Sequence, residues 1–514
     1  MSKKSGMKGF VVGAAVTASL AMSVSAYADT ITKQIAVTYN DIVVTLDGQE
    51  TALQDATGAT VEPFIYNGTV YLPARAISEA VGLTASYDKT TKTVSLTSNG
   101  GTSTLPQQTA GTADAASLGS ATYLLEGSTA SKADDTISAV TTDTSAVKVT
   151  AGGVLTLNGV TLSKAGGTSS EDNSNFYGLN AALLAAGGST ITLNDSTLTT
   201  SANGANAVFA TGAGSTVNVS GVTITTTEDS SHGLDATYTG TVNATNTNIT
   251  TSGTHSASIA TDRGNGTVNV TGGTMLTIGT DSPGIYSTGT ISVSDALITS
   301  QGSEAAVIEG NNSITLKNTN LSGAKKSGIM LYQSFSGDAE AGTGTLTMTG
   351  GSLTAYAGPL FYATNTDAVI NLKNTGLSSN SGILLAAGAD QWGTKGSNGA
   401  AVTLNADAQP LTGDVTADSI SSVALVLSNG SSLTGALDTA NTAKSVSFTL
   451  DATSVWNVTA DSYLSVLTDG DTTLSNIKDN GHTIYYDAAA STNSWLAGAT
   501  ITLSDGGRLT PFSS

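Results

Sequence analysis

A short pattern that returns at a near-constant interval constrains this chain more than any other feature of it. The pattern reads apolar, polar, apolar, polar, then Gly, Asn or Asp, two variable residues and another apolar residue. It begins at Leu155 (LTLNGVTL), Ile191, Val217, Val242, Val268, Ile291, Ile314, Leu346, Ile370 and, in degraded form, Val402 (VTLNADAQ). The intervals are 36, 26, 25, 26, 23, 23, 32, 24 and 32 residues. A period of this size with occasional insertions marks a solenoid, in which no single repeat can bury its own apolar face.

The alternation at the start of each unit predicts a strand with one face buried. The fifth position is Gly159, Asp195, Gly221, Asn246, Gly272, Asp295, Asn318, Gly350 or Asn374, residue types that tolerate a left-handed backbone, so the chain bends there into a second strand. A third apolar segment follows, as at Gly233-Leu234, Ser258-Ile259, Gly284-Ile285 and Gly328-Ile329. Three short strands per turn predict an all-β fold whose body, residues 119–410, is a right-handed parallel β-helix of about ten coils spaced about 4.8 Å apart. These residues resemble the superfamily that includes pectate lyases and many surface adhesins, a resemblance that implies a fold and leaves function open. Residues 411–514 read as irregular closing coils and a cap, with Trp456 and Tyr463 as bulky core fillers.

Ahead of the repeat the patterning changes. Asn67-Gly68 between Phe64-Ile65-Tyr66 and Val70-Tyr71-Leu72 predicts a hairpin, because both turn residues need positive φ. Pro73 to Gly82 opens on Pro, carries apolar residues at helical spacing and stops at Gly, which predicts one short helix. The stretch PFIYNGTVYLPARAISEAVGLTASYDKTTKTVSL resembles the stalk-like domain named after the N-terminal domain of copper amine oxidases. For residues 29–97 the resemblance implies a small α+β domain in an extracellular, Gram-positive setting, without the oxidase domain. Residues 98–118, rich in Gly, Ser, Thr and Pro, read as a linker.

Residues 1–28 have the three parts of a secretory signal: Lys3, Lys4 and Lys8, an apolar run from Phe10 to Met22, and Ala26-Tyr27-Ala28. The protein is therefore expected to be secreted or associated with the cell wall, with no transmembrane anchor in the mature chain. A formal charge of -20 argues against nucleic acid as a partner. Absence of cysteine excludes disulfides and thiolate metal sites.

Fragments that resemble catalytic pieces on such folds, Ser231-His232-Gly233, Thr261-Asp262-Arg263 and Asn365-Thr366-Asp367, read as solvated turns on different coils. His232 and His255 fall two positions out of register and form no stacked metal pair. No catalytic residue, metal or cofactor is expected. The stronger candidate is a protrusion. Insertions at residues 332–344 and 386–399 leave the same edge with one coil between them, so Tyr332, Phe335 and Trp392 are expected to gather with Asp338, Glu340 and Asp390. Aromatic faces beside carboxylates suit sugar rings, although such aromatics also cap a core beneath long loops. A second outward feature is the ladder of hydroxyls and amides at the polar positions, such as Asn218, Asn243 and Asn269. The expectation is a non-enzymatic adhesin or surface scaffold for extracellular glycan, matrix or cell-wall polymer. The alternatives are a polysaccharide lyase or glycosidase, which predicts a groove with converging carboxylates and a base, and a structural surface-layer component.

Overall fold

A computed structural model describes residues 118–512 throughout and, ahead of them, residues 37, 42, 44–46, 49–50, 53, 61–66, 69–80, 83–88 and 93–98. The signal-like residues 1–28, the Asn67-Gly68 turn and linker residues 99–117 lie outside the described residues. The chain divides into two compact units, Met1–Gln107 and Gln108–Ser514.

In the first unit Phe64–Tyr66 pairs antiparallel with Thr69–Tyr71 across the Asn-Gly position, with Tyr66 opposite Thr69. A helix follows at Ala74–Ala80, within the stretch where Pro and Gly bracket the helical pattern. Leu83–Asp88 and Thr93–Ser98 form a second antiparallel pair.

The second unit is a parallel β-solenoid. Its third-strand segments stack into one twelve-stranded sheet, and the two strands on either side of each bend stack into a twenty-two-stranded sheet. The register follows the repeat: Val217 pairs with Val242, Val242 with Val268, Val268 with Ile291 and Ile291 with Ile314. These residues point inward and are fully buried in one continuous apolar core. All nine bend positions anticipated from the sequence have positive φ, between 47° and 69°. Asx and Gly largely alternate there from coil to coil for a steric reason. A Cβ on Gly221 would lie 2.5 Å from Asp195 Oδ1, and one on Gly350 would lie 2.6 Å from Asn318 Oδ1. The side chain of one coil fills the space that the next coil's glycine leaves open. On the outer face the polar ladder is hydrogen-bonded, with Asn243 Nδ2 donating to Asn218 Oδ1 at 2.9 Å and Asn269 Nδ2 to Asn243 Oδ1 at 3.0 Å.

Three features differ from the sequence reading. The tenth repeat begins at Leu404, because Ile370 pairs with Leu404 while Val402 pairs with Ala368; the bend then falls at Ala408, φ 50°. The coils past residue 410 are more regular than expected: Asp414–Ala417 joins the twelve-stranded sheet, and Ser422–Ser428 and Ser445–Leu450 extend the other. Trp456 fills the core with 0% exposure, but Tyr463 points outward and stacks on Tyr485 at 4.5 Å. The end of the solenoid is closed by a 3-10 turn at Ser491–Leu496. Its Asn493 accepts from Leu467 N–H and donates to the Ser465 and Asp487 carbonyls.

Candidate functional site

The twelve-stranded sheet carries the site on its outward side. In each of these third strands the residue after the inward Leu, Val, Ile or Ala faces out. Register places Leu184, Phe209, Asp235, Ala260, Tyr286 and Val307 in one such row. One end of this row is roofed by the helix Glu171–Tyr177, which occupies the 36-residue interval and went unread in the sequence. Ser170 caps it by accepting from Asn173 N–H, and Gly178 at φ 73° ends it. Its Tyr177 stacks on Tyr238, with ring centroids 5.1 Å apart.

The other end is roofed by the two insertions, which meet. The Trp392 ring lies 5.4 Å from Tyr332 and 6.1 Å from Phe335. Asp338 turns back along the solenoid and accepts from Arg263 Nε at 2.8 Å, with a second donor from the same guanidinium. Arg263 also lies 3.7 Å over the ring of Phe176, so the helix and the first insertion clasp one side chain. Glu309, buried beneath, accepts from Tyr286 Oη at 2.6 Å, Tyr332 Oη at 2.9 Å and Ser334. Burial first, then neighbouring Tyr332 and Glu309, pushes the Tyr286 phenol far above its usual range.

Between the roofs lies a cleft of about 580 Å³, lined by Tyr332, Asp338 and Trp392 among the anticipated residues. Phe335 is 67% exposed and packs on the outer side of Trp392. Asp390 and Glu340 do not line the cleft. Asp390 accepts from Tyr362 Oη at 2.8 Å, and Glu340 is exposed, its carbonyl accepting from Asn311 N–H.

The floor overturns one reading. His232 and Asp262 are not solvated turn residues: they are 6% and 7% exposed, and Asp235, on neither fragment, is 0% exposed. One donor atom from each of the three lies within 4.8 Å of the others. Asp262 Oδ2 stands 3.2 Å from His232 Nε2. Sequence reasoning missed Asp235, and the available signal was the one charged residue between Leu184 and Val307 in that outward row. As the register argument required, His255 is not stacked on His232. Ala257 is the neighbour there, and its N–H donates to His232 Nδ1 at 2.9 Å.

That last bond decides the chemistry of the ring. Burial opposes a charge on His232, but the Asp262 carboxylate outweighs it and raises the pKa to about 9; against that charge stands the geometry at the other nitrogen, because Nδ1 must hold a lone pair to accept from Ala257. While the Ala257 bond is made the ring is the neutral tautomer, with Nε2–H directed at Asp262. A metal on Nε2 needs a lone pair there too, whereas histidine ligands ordinarily keep a proton on the other nitrogen. The trio has the composition of a metal site without its proton arrangement. Neither Asp235 oxygen has a partner in hydrogen-bond geometry, although the Ala236 and Asp262 amides approach it. Burial first and the Asp262 charge second raise its carboxyl well above the usual range, which favours its protonated form.

The family model for the copper amine oxidase N-terminal domain matches residues 54–129. Comparison with curated proteins gave no match, and comparison with solved structures gave none. No helix among the described residues is long and apolar enough to cross a membrane.

Proposed function

We propose that the chain is an exported surface protein whose solenoid binds extracellular glycan in the cleft. The N-terminal domain match and the solenoid are consistent with a surface protein. The observation that carries the glycan reading is Trp392, packed on Tyr332 at the rim of a carboxylate-lined cleft. Aromatic faces stack on sugar rings while carboxylates accept from hydroxyls. A polysaccharide panel scored for both retention and product release tests it, with Trp392→Ala alongside. Retention without cleavage, lost in the variant, is expected; equal retention by both proteins would remove the cleft from the reading.

Cleavage of the bound glycan is the second reading, favoured by converging carboxylates with a protonated Asp235 beside Asp262. Binding alone is preferred because Asp235 is shut off from the cleft, while Arg263 and Lys326, the cationic side chains a lyase would use, are tied to Asp338 and Asp281. Release of reducing or unsaturated ends in the panel would reverse that order.

A further inference from the structure

The cleft is more acidic than recognition of a neutral sugar requires. Asp172, Asp262, Asp281, Glu304 and Asp338 line it, against one lysine, Lys326. That lysine is bound to Asp281 and stands 3.9 Å from Glu304, and Arg263 is bound to Asp338. Among the described residues neither Asp172 nor Asp262 is paired with a lysine or arginine.

Asp262 is the acute case. It is nearly buried, its one ion-pair neighbour is His232, whose Nδ1 accepts from the Ala257 N–H and so carries no proton there, and behind it lies Asp235 with no hydrogen-bond partner for either oxygen. Two carboxylates this close and this buried call for a compensating cation. In the free protein burial and the Asp262 charge favour a proton on Asp235 in that role. A metal is opposed by the Ala257 amide on Nδ1, which leaves His232 no second lone pair. An acidic polysaccharide would add like charge to the cleft, which costs affinity and suppresses binding.

We propose that the cleft takes a ligand carrying a protonated amine, an amino sugar, with the ammonium held by Asp262 and the ring against Trp392. This rests on the glycan reading above and adds the substrate class. The net charge of -20 draws such a cation in rather than repelling it.

The test titrates the full chain with glucosamine tetramer, N-acetylglucosamine tetramer, tetragalacturonate and spermidine, at a mildly acidic pH where the amines are charged. The glucosamine tetramer is expected to bind at least about tenfold more tightly than its acetylated form, a difference of about 1.4 kcal/mol. Asp262→Asn should erase that preference. Because a buried substitution can unfold the coil, the comparison among ligands on the unaltered chain stands as evidence on its own. Equal affinity for the two tetramers would overturn the amine and leave the glycan reading intact. Failure of every saccharide to bind would overturn the glycan reading and this one together. Spermidine binding as tightly as the glucosamine tetramer would overturn the sugar as the amine's carrier. Stabilisation by calcium or zinc alone, reversed by a chelator, would replace the ammonium with a metal.

Discussion

Arg263 and Asp338 are 75 positions apart in sequence, yet the guanidinium Nε donates to the carboxylate at 2.8 Å and both side chains are less than one-fifth exposed. The pair fastens the 332–344 insertion back across the coils it would otherwise overhang. With Phe176 beneath the guanidinium, the same residue also holds the Glu171–Tyr177 helix.

Arg263→Met keeps the stem on Phe176 and removes the charge. Loss of a charge-assisted hydrogen bond of this kind costs about 1.5–3 kcal/mol. The expected result is a lower urea midpoint together with faster proteolysis between Ser334 and Gly342. An insertion as protease-resistant as before would mean that the Tyr332 and Trp392 contacts hold it alone.

The bends give a paired prediction. Gly221→Ala puts a Cβ 2.5 Å from Asp195 Oδ1 at φ 64°, so the variant meets a clash as well as the left-handed penalty of about 1–2 kcal/mol. Asn246→Gly, one coil on at φ 49°, keeps the conformation accessible and should cost under about 1 kcal/mol. Chemical denaturation of the two variants side by side checks the order. Equal losses would show that left-handed geometry does not set the cost of these bends.

That alternation explains why the solenoid was legible. Inward residues at every second position and Asx or Gly at the bend are local requirements, and each coil states them again. Where a coil meets them with small residues the sequence goes quiet: Ala368 and Ala406 hide the register that moves the tenth repeat from Val402 to Leu404. The aromatic gathering was legible because two insertions with one coil between them must leave the same edge. The His232, Asp235 and Asp262 cluster was not, because its members meet only through the register of neighbouring third strands. Whether a histidine there is a turn or a floor depends on a roof built from residues 171–177 and 332–344, far away in sequence.

Lys164 predicts an unusual pH dependence. Its side chain is buried and its Nζ donates to the Thr141 carbonyl at 2.9 Å. Burial lowers its pKa from 10.5 to about 8, against a weaker opposing pull from Asp143. Below pH 8 the lysine is charged in both states, and the folded state carries the full burial cost. Between about pH 8 and 10.5 the unfolded chain binds more protons, so stability rises with pH. Tyr238, Tyr332 and Tyr362 act in the opposite direction: burial raises their phenols, so above about pH 10 the unfolded chain loses protons first and stability falls. Urea midpoints measured from pH 7 to 11 should therefore pass through a maximum near pH 10. Lys164→Met should flatten the rising limb; a rise that survives the substitution would assign it to another group.

The C-terminal coils separate two aromatic residues that the sequence treats alike. Trp456 is enclosed, its Nε1 donates to the Gly435 carbonyl at 2.9 Å and its ring meets Phe448 edge-on at 4.9 Å. Trp456→Ala leaves a large cavity and an orphaned carbonyl, and should cost about 3–5 kcal/mol. Tyr463 lies outside, stacked on Tyr485, so Tyr463→Ala should cost about 0.5–1.5 kcal/mol. A solenoid couples each coil chiefly to its neighbours, so the Trp456 loss should stay local. Hydrogen exchange ought to accelerate in the coils from Ser445 to Phe512 and stay unchanged between Thr190 and Thr349. Uniform acceleration along the whole solenoid would instead make the unit a single cooperative block.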